Sequence, residues 1–286
     1  MNKLLKALIF DNQLTLSVLD TTDMVNDAIK IHGLTPLTAA ALGRTLTVST
    51  FMSSNLKNKS DKLSVTVAGG GVGGKITVCG NGDLQMRGSI DNPTVTLPLR
   101  ADGKLDVGGC VGKNGRLTVT RSMGLKEPYS GSAKLVSGEI AEDFTSYYAL
   151  SEQQPTAIAL GVKIGKDLTC VGAGGVIIQA LPFATEETLK KAEDIMANLK
   201  NVSTLIEEMG AEKVIEKYFG SGVKYEEYHP EYKCLCSKEY IEKLLISLGK
   251  PELDDIIKCE GEVKVKCQFC QTEYKFGQKE VDELFK

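Results

Sequence analysis

Histidine is nearly absent from this chain, with only His32 and His229 among 286 residues, and no arginine follows Arg121. So little histidine leaves scant material for a His-activated nucleophile, and neither residue has a nucleophile and an acid at a recognisable spacing. His32, beside Gly33, reads as a helix-end residue. His229, before Pro230, stands near enough to Cys234 in sequence to be a spare metal ligand. The arginines Arg44, Arg87, Arg100, Arg116 and Arg121 all lie in the first half, and the formal net charge is −3. That charge gives no general pull toward nucleic acid or an anionic membrane. No apolar run is long enough to span a bilayer. The N-terminal MNKLLKALIF lacks the longer apolar core and small-residue cleavage site of a secretion signal, and Asp11 arrives too early. The expectation is a cytoplasmic chain with no membrane and no nucleic-acid partner.

What is present is ordinary for a globular protein: 42% hydrophobic and 25% charged residues. The length suggests two units. LTLSVLD, KLSVTVAG, KITVCG, DLQMRGSI and GRLTVTRS alternate like half-buried strands bounded by Gly, Asn, Asp or Pro. Residues 22–56 read as helical, broken near Gly33 and Pro36, and TAAALGRTLTVSTFMSSNL suits a largely buried helix. SGEIAEDFTSYYALSEQ places Ile140, Phe144, Tyr147 and Tyr148 at helical spacing, and TAIALGVKI and GGVIIQALP return to strand. The fold class is α+β: an N-terminal sheet-and-helix domain (1–180), a helical linker (181–231) and a small C-terminal zinc-binding domain (232–286).

In the linker, Leu189, Ala192, Ile195, Met196, Leu199 and Val202 form one helical face. Thr204 and Glu207 sit at capping-box spacing and open a second short helix. Gly210 ends it, and AEKVIEKYFG starts a third that stops at Gly220. The plain reading of the apolar face is packing on the first domain. The functional one is a surface uncovered on demand.

GGGVGGK (69–75) satisfies G-x-G-x-x-G and nearly fits a phosphate-binding loop. Both need a following helix, whereas KITVCGNG alternates like a strand, and Ile76 stands where a magnesium-binding Ser or Thr belongs. A glycine-rich hairpin loop is the better reading. No catalytic constellation is apparent, so an enzyme is not expected.

Five of the eight cysteines crowd the C-terminus: Cys234, Cys236, Cys259, Cys267 and Cys270. In a reducing cytosol they are not a disulfide framework. C-x-C followed by C-x-x-C suits one tetrahedral zinc ion held by Cys234, Cys236, Cys267 and Cys270. VKVKCQFCQTEYKF reads as strand, knuckle, strand. Between the pairs lie an amphipathic helix (Ile241, Leu244, Leu245, Leu248), a Gly-Lys-Pro break and a shorter helix. A unit of this size has little core of its own, so its folding should depend on the metal. Thiolates are also the oxidisable form of cysteine. Cys267 and Cys270 can close easily. Cys234 and Cys236, at i and i+2, must bend out of extended geometry to do so. The C-x-x-C pair is therefore expected to oxidise first. Cys259 reads as a bystander.

RGSIDNPTVTLPL, GRLTVTRSMGLKEPYSGSAKLVSGEIAEDFTSYYALSEQQPTAIALGV and the terminal C-x-C, spacer, C-x-x-C-x3-Y-x-F pattern resemble the 33 kDa chaperonin family, the redox-regulated bacterial heat-shock holdases. The resemblance covers essentially the whole chain. It implies a chaperone that uses no nucleotide and is inactive when reduced and zinc-bound. Oxidative stress would form the disulfides Cys234–Cys236 and Cys267–Cys270, release zinc and unfold the C-terminal unit and linker. The active form would be a homodimer holding unfolding client proteins.

Three other readings of the cysteines remain. A nucleic-acid zinc ribbon would want basic surroundings, but acids outnumber Lys264, Lys266 and Lys275 there. A thiol oxidoreductase normally opens a helix with its C-x-x-C, whereas QTEYKF reads as extended. A purely structural zinc module would ignore oxidants.

Overall fold

A computed structural model describes residues 1–124, 127–199 and 201–285. Leu125 and Lys126 of the GRLTVTRSMGLKEPYS motif, Lys200 of the linker span and the terminal Lys286 lie outside the described residues. The chain divides into two compact units, Met1–Tyr232 and Lys233–Lys286.

The first unit opens with β1 (Lys3–Ile9), β2 (Leu14–Asp20), α1 (Thr22–His32) and α2 (Pro36–Ser53). Three strands follow, β3 (Lys62–Ala68), β4 (Ile76–Asn81) and β5 (Gln85–Ile90), then the short α3 (Val107–Val111). Next come β6 (Arg116–Ser122), β7 (Tyr129–Lys134), α4 (Ala141–Tyr147) and one π-helical turn, Tyr148–Glu152. The long strands β8 (Thr156–Ile164) and β9 (Cys170–Ala180) lead into α5 (Glu186–Asn198) and α6 (Val202–Phe219). β10 (Tyr225–Tyr228) and β11 (Glu231–Tyr232) finish the unit.

Two sheets result. One has the order β10-β1-β2-β9-β8, and the other β11-β5-β4-β3-β6-β7. The central helix α2 touches strands of both sheets. Thr35 caps it by accepting from the Thr38 N–H, and Pro36 sits in its first turn, where a missing N–H costs nothing. Of its 18 residues only Pro36 and Arg44 escape full burial. Three of its buried hydroxyls are satisfied locally: Thr45, Thr47 and Thr50 donate to the carbonyls of Ala41, Gly43 and Leu46. One core therefore surrounds α2, with Leu42, Leu46 and Phe51 against Val65, Val78 and Ile177.

The opposite face of the five-stranded sheet carries a second core. Leu5, Leu14, Leu16, Val18, Val176 and Ile178 meet Val202, Leu205, Ile206, Val214 and Ile215 of α6. The linker's apolar face lies in the same cluster: Ala192, Leu199 and Val202 are buried, and Leu189, Ile195 and Met196 partly so. Residues 181–231 belong to the first unit in this state. The second linker helix starts at Val202 behind Asn201, two residues before the expected cap at Thr204. The reason is backbone geometry: Asn201 takes φ 57° and turns the chain into the helix without a side-chain cap. Gly210, at φ 74° and ψ 168°, breaks it midway as expected.

The glycine-rich segment 69–75 is a loop between β3 and β4, with no helix after it. It lies against the end of α3 so closely that a Cβ on Gly69 would stand 2.2 Å from the Gly112 carbonyl oxygen. Gly69 and Gly71 serve backbone-to-backbone packing there.

The second unit holds α7 (Lys238–Leu248), α8 (Lys250–Glu260), β12 (Val263–Lys266), β13 (Glu273–Phe276) and α9 (Gln278–Leu284). Gly249, at φ 91°, separates α7 from α8. The unit's core consists of Ile241, Leu245, Leu253, Val263, Phe276 and Val281, with partly buried neighbours such as Ile257 and Tyr274. Among the described residues no helix is long and apolar enough to cross a membrane.

Candidate metal centre

β12 and β13 pair antiparallel from Val263 opposite Phe276 to Lys266 opposite Glu273. The loop that joins them carries Cys267 and Cys270. It is closed by the Cys267 N–H donating to the Thr272 carbonyl at 2.9 Å and the Gln271 N–H donating to the Cys267 carbonyl at 2.9 Å. Gln271 turns the chain with φ 60°. Cys234 and Cys236 come from the irregular segment just before α7, whose first turn Ser237 caps by accepting from the Tyr240 N–H. A hairpin loop and a helix-entry segment thus bring together two cysteine pairs about thirty residues apart in sequence.

The four sulfurs all lie within 4.8 Å of one another. Two close contacts cross between the pairs, Cys234 to Cys267 at 3.6 Å and Cys236 to Cys270 at 3.3 Å. A tetrahedral ion with metal–sulfur bonds of about 2.3 Å has sulfur–sulfur edges of roughly 3.8 Å. The cluster is close to that geometry, and four soft thiol donors suit zinc.

Residues beyond the ligand spacing tune these sulfurs. Tyr274 Oη lies 3.2 Å from Cys236 Sγ, and Thr272 Oγ1 lies 3.2 Å from Cys270 Sγ. Burial works to raise the Cys270 thiol, but the hydroxyl and N–H of Thr272 and the neighbouring thiols favour its thiolate, and its pKa falls to about 7. Burial pushes the Cys234 and Cys236 thiols up. The hydrogen bond to Cys236 drives the Tyr274 phenol up to about 12. The C-x3-Y-x-F pattern contained Tyr274 and Phe276, but spacing alone does not show that one steadies a sulfur and the other fills the core.

The remaining thiols stand apart. Cys259 is exposed near the end of α8, outside the cluster. Cys110 and Cys170 are buried, and burial raises their pKa values to about 11 and about 12, which keeps them unreactive. His229 lies in the first unit, 52% exposed and 3.8 Å from Glu227, not among the sulfurs.

Fold and site together define a two-unit α+β protein whose small terminal unit gathers four thiols fit to hold a metal ion. The family model described as Hsp33 protein matches residues 2–277. The chain is 42% identical over 291 residues to the 33 kDa chaperonin of Clostridium novyi, covering 100% of this chain and 98% of that one. It is 40% identical over 286 residues to the 33 kDa chaperonin of Alkaliphilus oremlandii, covering 99% and 96%. The crystal structure of the 33 kDa chaperonin (heat shock protein 33 homolog) from Thermotoga maritima matches with a TM-score of 0.92 at 34% identity, over 99% of this chain and 97% of that one. The chain belongs to the Hsp33 family of chaperones.

Proposed function

We propose that this chain is a redox-regulated, ATP-independent holdase of the cytoplasm, silent when reduced and active as a homodimer once oxidised. The observation that carries the reading is the cluster itself: four sulfurs within 4.8 Å of one another, in a unit with only six fully buried apolar side chains. Cys234, Cys236, Cys267 and Cys270 would hold the ion. Zinc, when bound, keeps the four sulfurs as thiolates and closes the unit.

The switch then follows from the chain's own residues. A thiolate attacks peroxide, taking one oxygen as sulfenic acid and releasing water after protonation. The neighbouring thiol attacks that sulfur, forming the disulfide and releasing a second water. Each disulfide consumes one peroxide. The Cys267–Cys270 pair oxidises first, because its two-residue spacing closes into a disulfide more easily than that of Cys234 and Cys236. Closing Cys234 to Cys236 then sets a geometry that opposes the folded unit. The loss of the unit loosens residues 181–231 and uncovers the sheet face of Leu5, Leu16, Val18 and Ile178, all at most 3% exposed while α6 covers them. Unfolding client proteins bind that apolar surface.

Disulfide mapping by mass spectrometry during limiting peroxide treatment, with zinc release followed by a colorimetric chelator, tests the scheme. The expected order is Cys267–Cys270 first, Cys234–Cys236 second, with zinc leaving in step. A Cys234–Cys236 disulfide in protein that still retains its zinc would overturn it. A purely structural zinc module predicts no zinc loss at oxidant levels that leave Cys110 and Cys170 reduced.

A further inference from the structure

The strand β10 is an unusual edge. All four of its residues are exposed, so it buries little side-chain surface. Backbone pairing to β1 holds it in the register Leu4–Tyr228, Leu5–Glu227, Lys6–Glu226 and Ala7–Tyr225. Two charges assist. Lys3 pairs with Glu227 at 3.5 Å and also with Glu212 of α6. Lys6 stands directly opposite Glu226; burial lowers its pKa, and the Glu226 charge offsets part of that. β10 follows α6 after a short turn at Gly220, so it belongs to the segment proposed to loosen.

Pairing with β10 covers only part of β1. It ends at Ala7, while β1 runs on to Ile9. Leu8, 51% exposed, lies past the end of that ladder. A cavity of about 980 Å³ opens there, lined by Lys6, Leu8, Phe10, Phe219, Val223 and Tyr225. A strand edge with unpaired backbone groups is a template for another strand. The cavity gives an incoming segment a foothold beside the strand it would replace.

We propose that β10 is a built-in stand-in for the client, and that the edge of β1 captures clients as extended segments added antiparallel along Leu4–Ile9. The favoured segment carries adjacent acids as β10 does, one opposite Leu5 within reach of Lys3 and one opposite Lys6, with aromatic or apolar side chains opposite Leu4 and Ala7. This inference rests on the holdase reading above and adds the mode of recognition to it. Backbone pairing supplies affinity for any extended chain, which suits a binder of many unfolding proteins. The two lysines supply a bias in charge.

Hydrogen exchange of segment 3–9 in the full-length chain tests it, in the reduced state, the oxidised state and the oxidised state with a thermally unfolded client. The half of the β1 amides that faces β10 should be protected, then exposed, then protected again. A fluorescent peptide of residues 222–229 should bind the oxidised chain and not the reduced one. Lys3→Glu should weaken that peptide by about tenfold and favour the peptide carrying Glu226→Lys and Glu227→Lys by a similar factor. Segment 3–9 staying protected in an oxidised chain that holds client, or staying exposed with client bound, overturns the edge assignment alone. Affinities indifferent to the charge swap overturn the bias. An oxidised chain that fails to hold the client at all overturns the holdase reading, and this inference with it.

Discussion

Replacing Cys267 by serine is expected to melt residues 233–286 and loosen 181–231, while the core around α2 stays folded. The small unit has six fully buried apolar residues drawn from three helices and two strands, too few to hold so short a segment without a cross-link. Structural zinc contributes about 10–16 kcal/mol of apparent binding free energy in small finger peptides, and one lost thiolate removes much of it. The hairpin of β12 and β13 carries both Cys267 and the Val263 and Phe276 core residues, so the metal site and the core fail together. The core around α2 is built from its own residues and needs none of these sulfurs. Limited proteolysis should cut throughout 233–286 in the variant and in chelator-treated wild type, and spare the cores around α2. A protease-resistant second unit in the zinc-free variant would show that the small core suffices.

The second large effect concerns α6. Val214→Asp should give a chain that holds clients while still reduced and zinc-loaded. Val214 is fully buried against the five-stranded sheet. An unpaired carboxylate there costs several kcal/mol, and lifting α6 off the sheet relieves it. The core around α2 lies on the other side of that sheet and stays intact. A dye that reports exposed apolar surface should bind more strongly to the reduced variant than to wild type, and client aggregation should fall without oxidant. Zinc content should be unchanged. A folded variant with an exposed sheet face and no holding activity would separate the apolar surface from the function.

These expectations depend on parts of the molecule that the sequence revealed unevenly. The zinc-type cluster was legible because thiol spacing constrains few alternatives, and the buried α2 because sixteen of its eighteen residues needed no polar face. The knuckle, the Gly249 break and the Gly210 break followed from local residue chemistry. What local signals could not supply was structure made by partners. Tyr129–Lys134 has a Ser- and Gly-rich sequence that resembles a turn. It is a strand because β6 pairs with it and because Gly131 leaves room where a Cβ would meet Ser151 Oγ at 2.5 Å. VGGCV at 107–111 has two glycines in five residues. It is helical because Asp106 accepts from the Gly109 N–H at 2.9 Å and the 69–73 loop docks on its end. YEEY at 225–228 shows no strand alternation of its own, and only the register with β1 reveals it as an edge strand. In each case a tertiary neighbour, not local propensity, decided the outcome.

The central claim is that oxidation of the four clustered cysteines turns holding activity on. Light scattering of a thermally unfolding client, with the chain added reduced, after peroxide at mild heat, and after subsequent reduction, tests it most directly. The account predicts aggregation suppressed only by the oxidised chain, with suppression lost again on reduction. Equal suppression by the reduced zinc-bound chain, or none in any state, would contradict it.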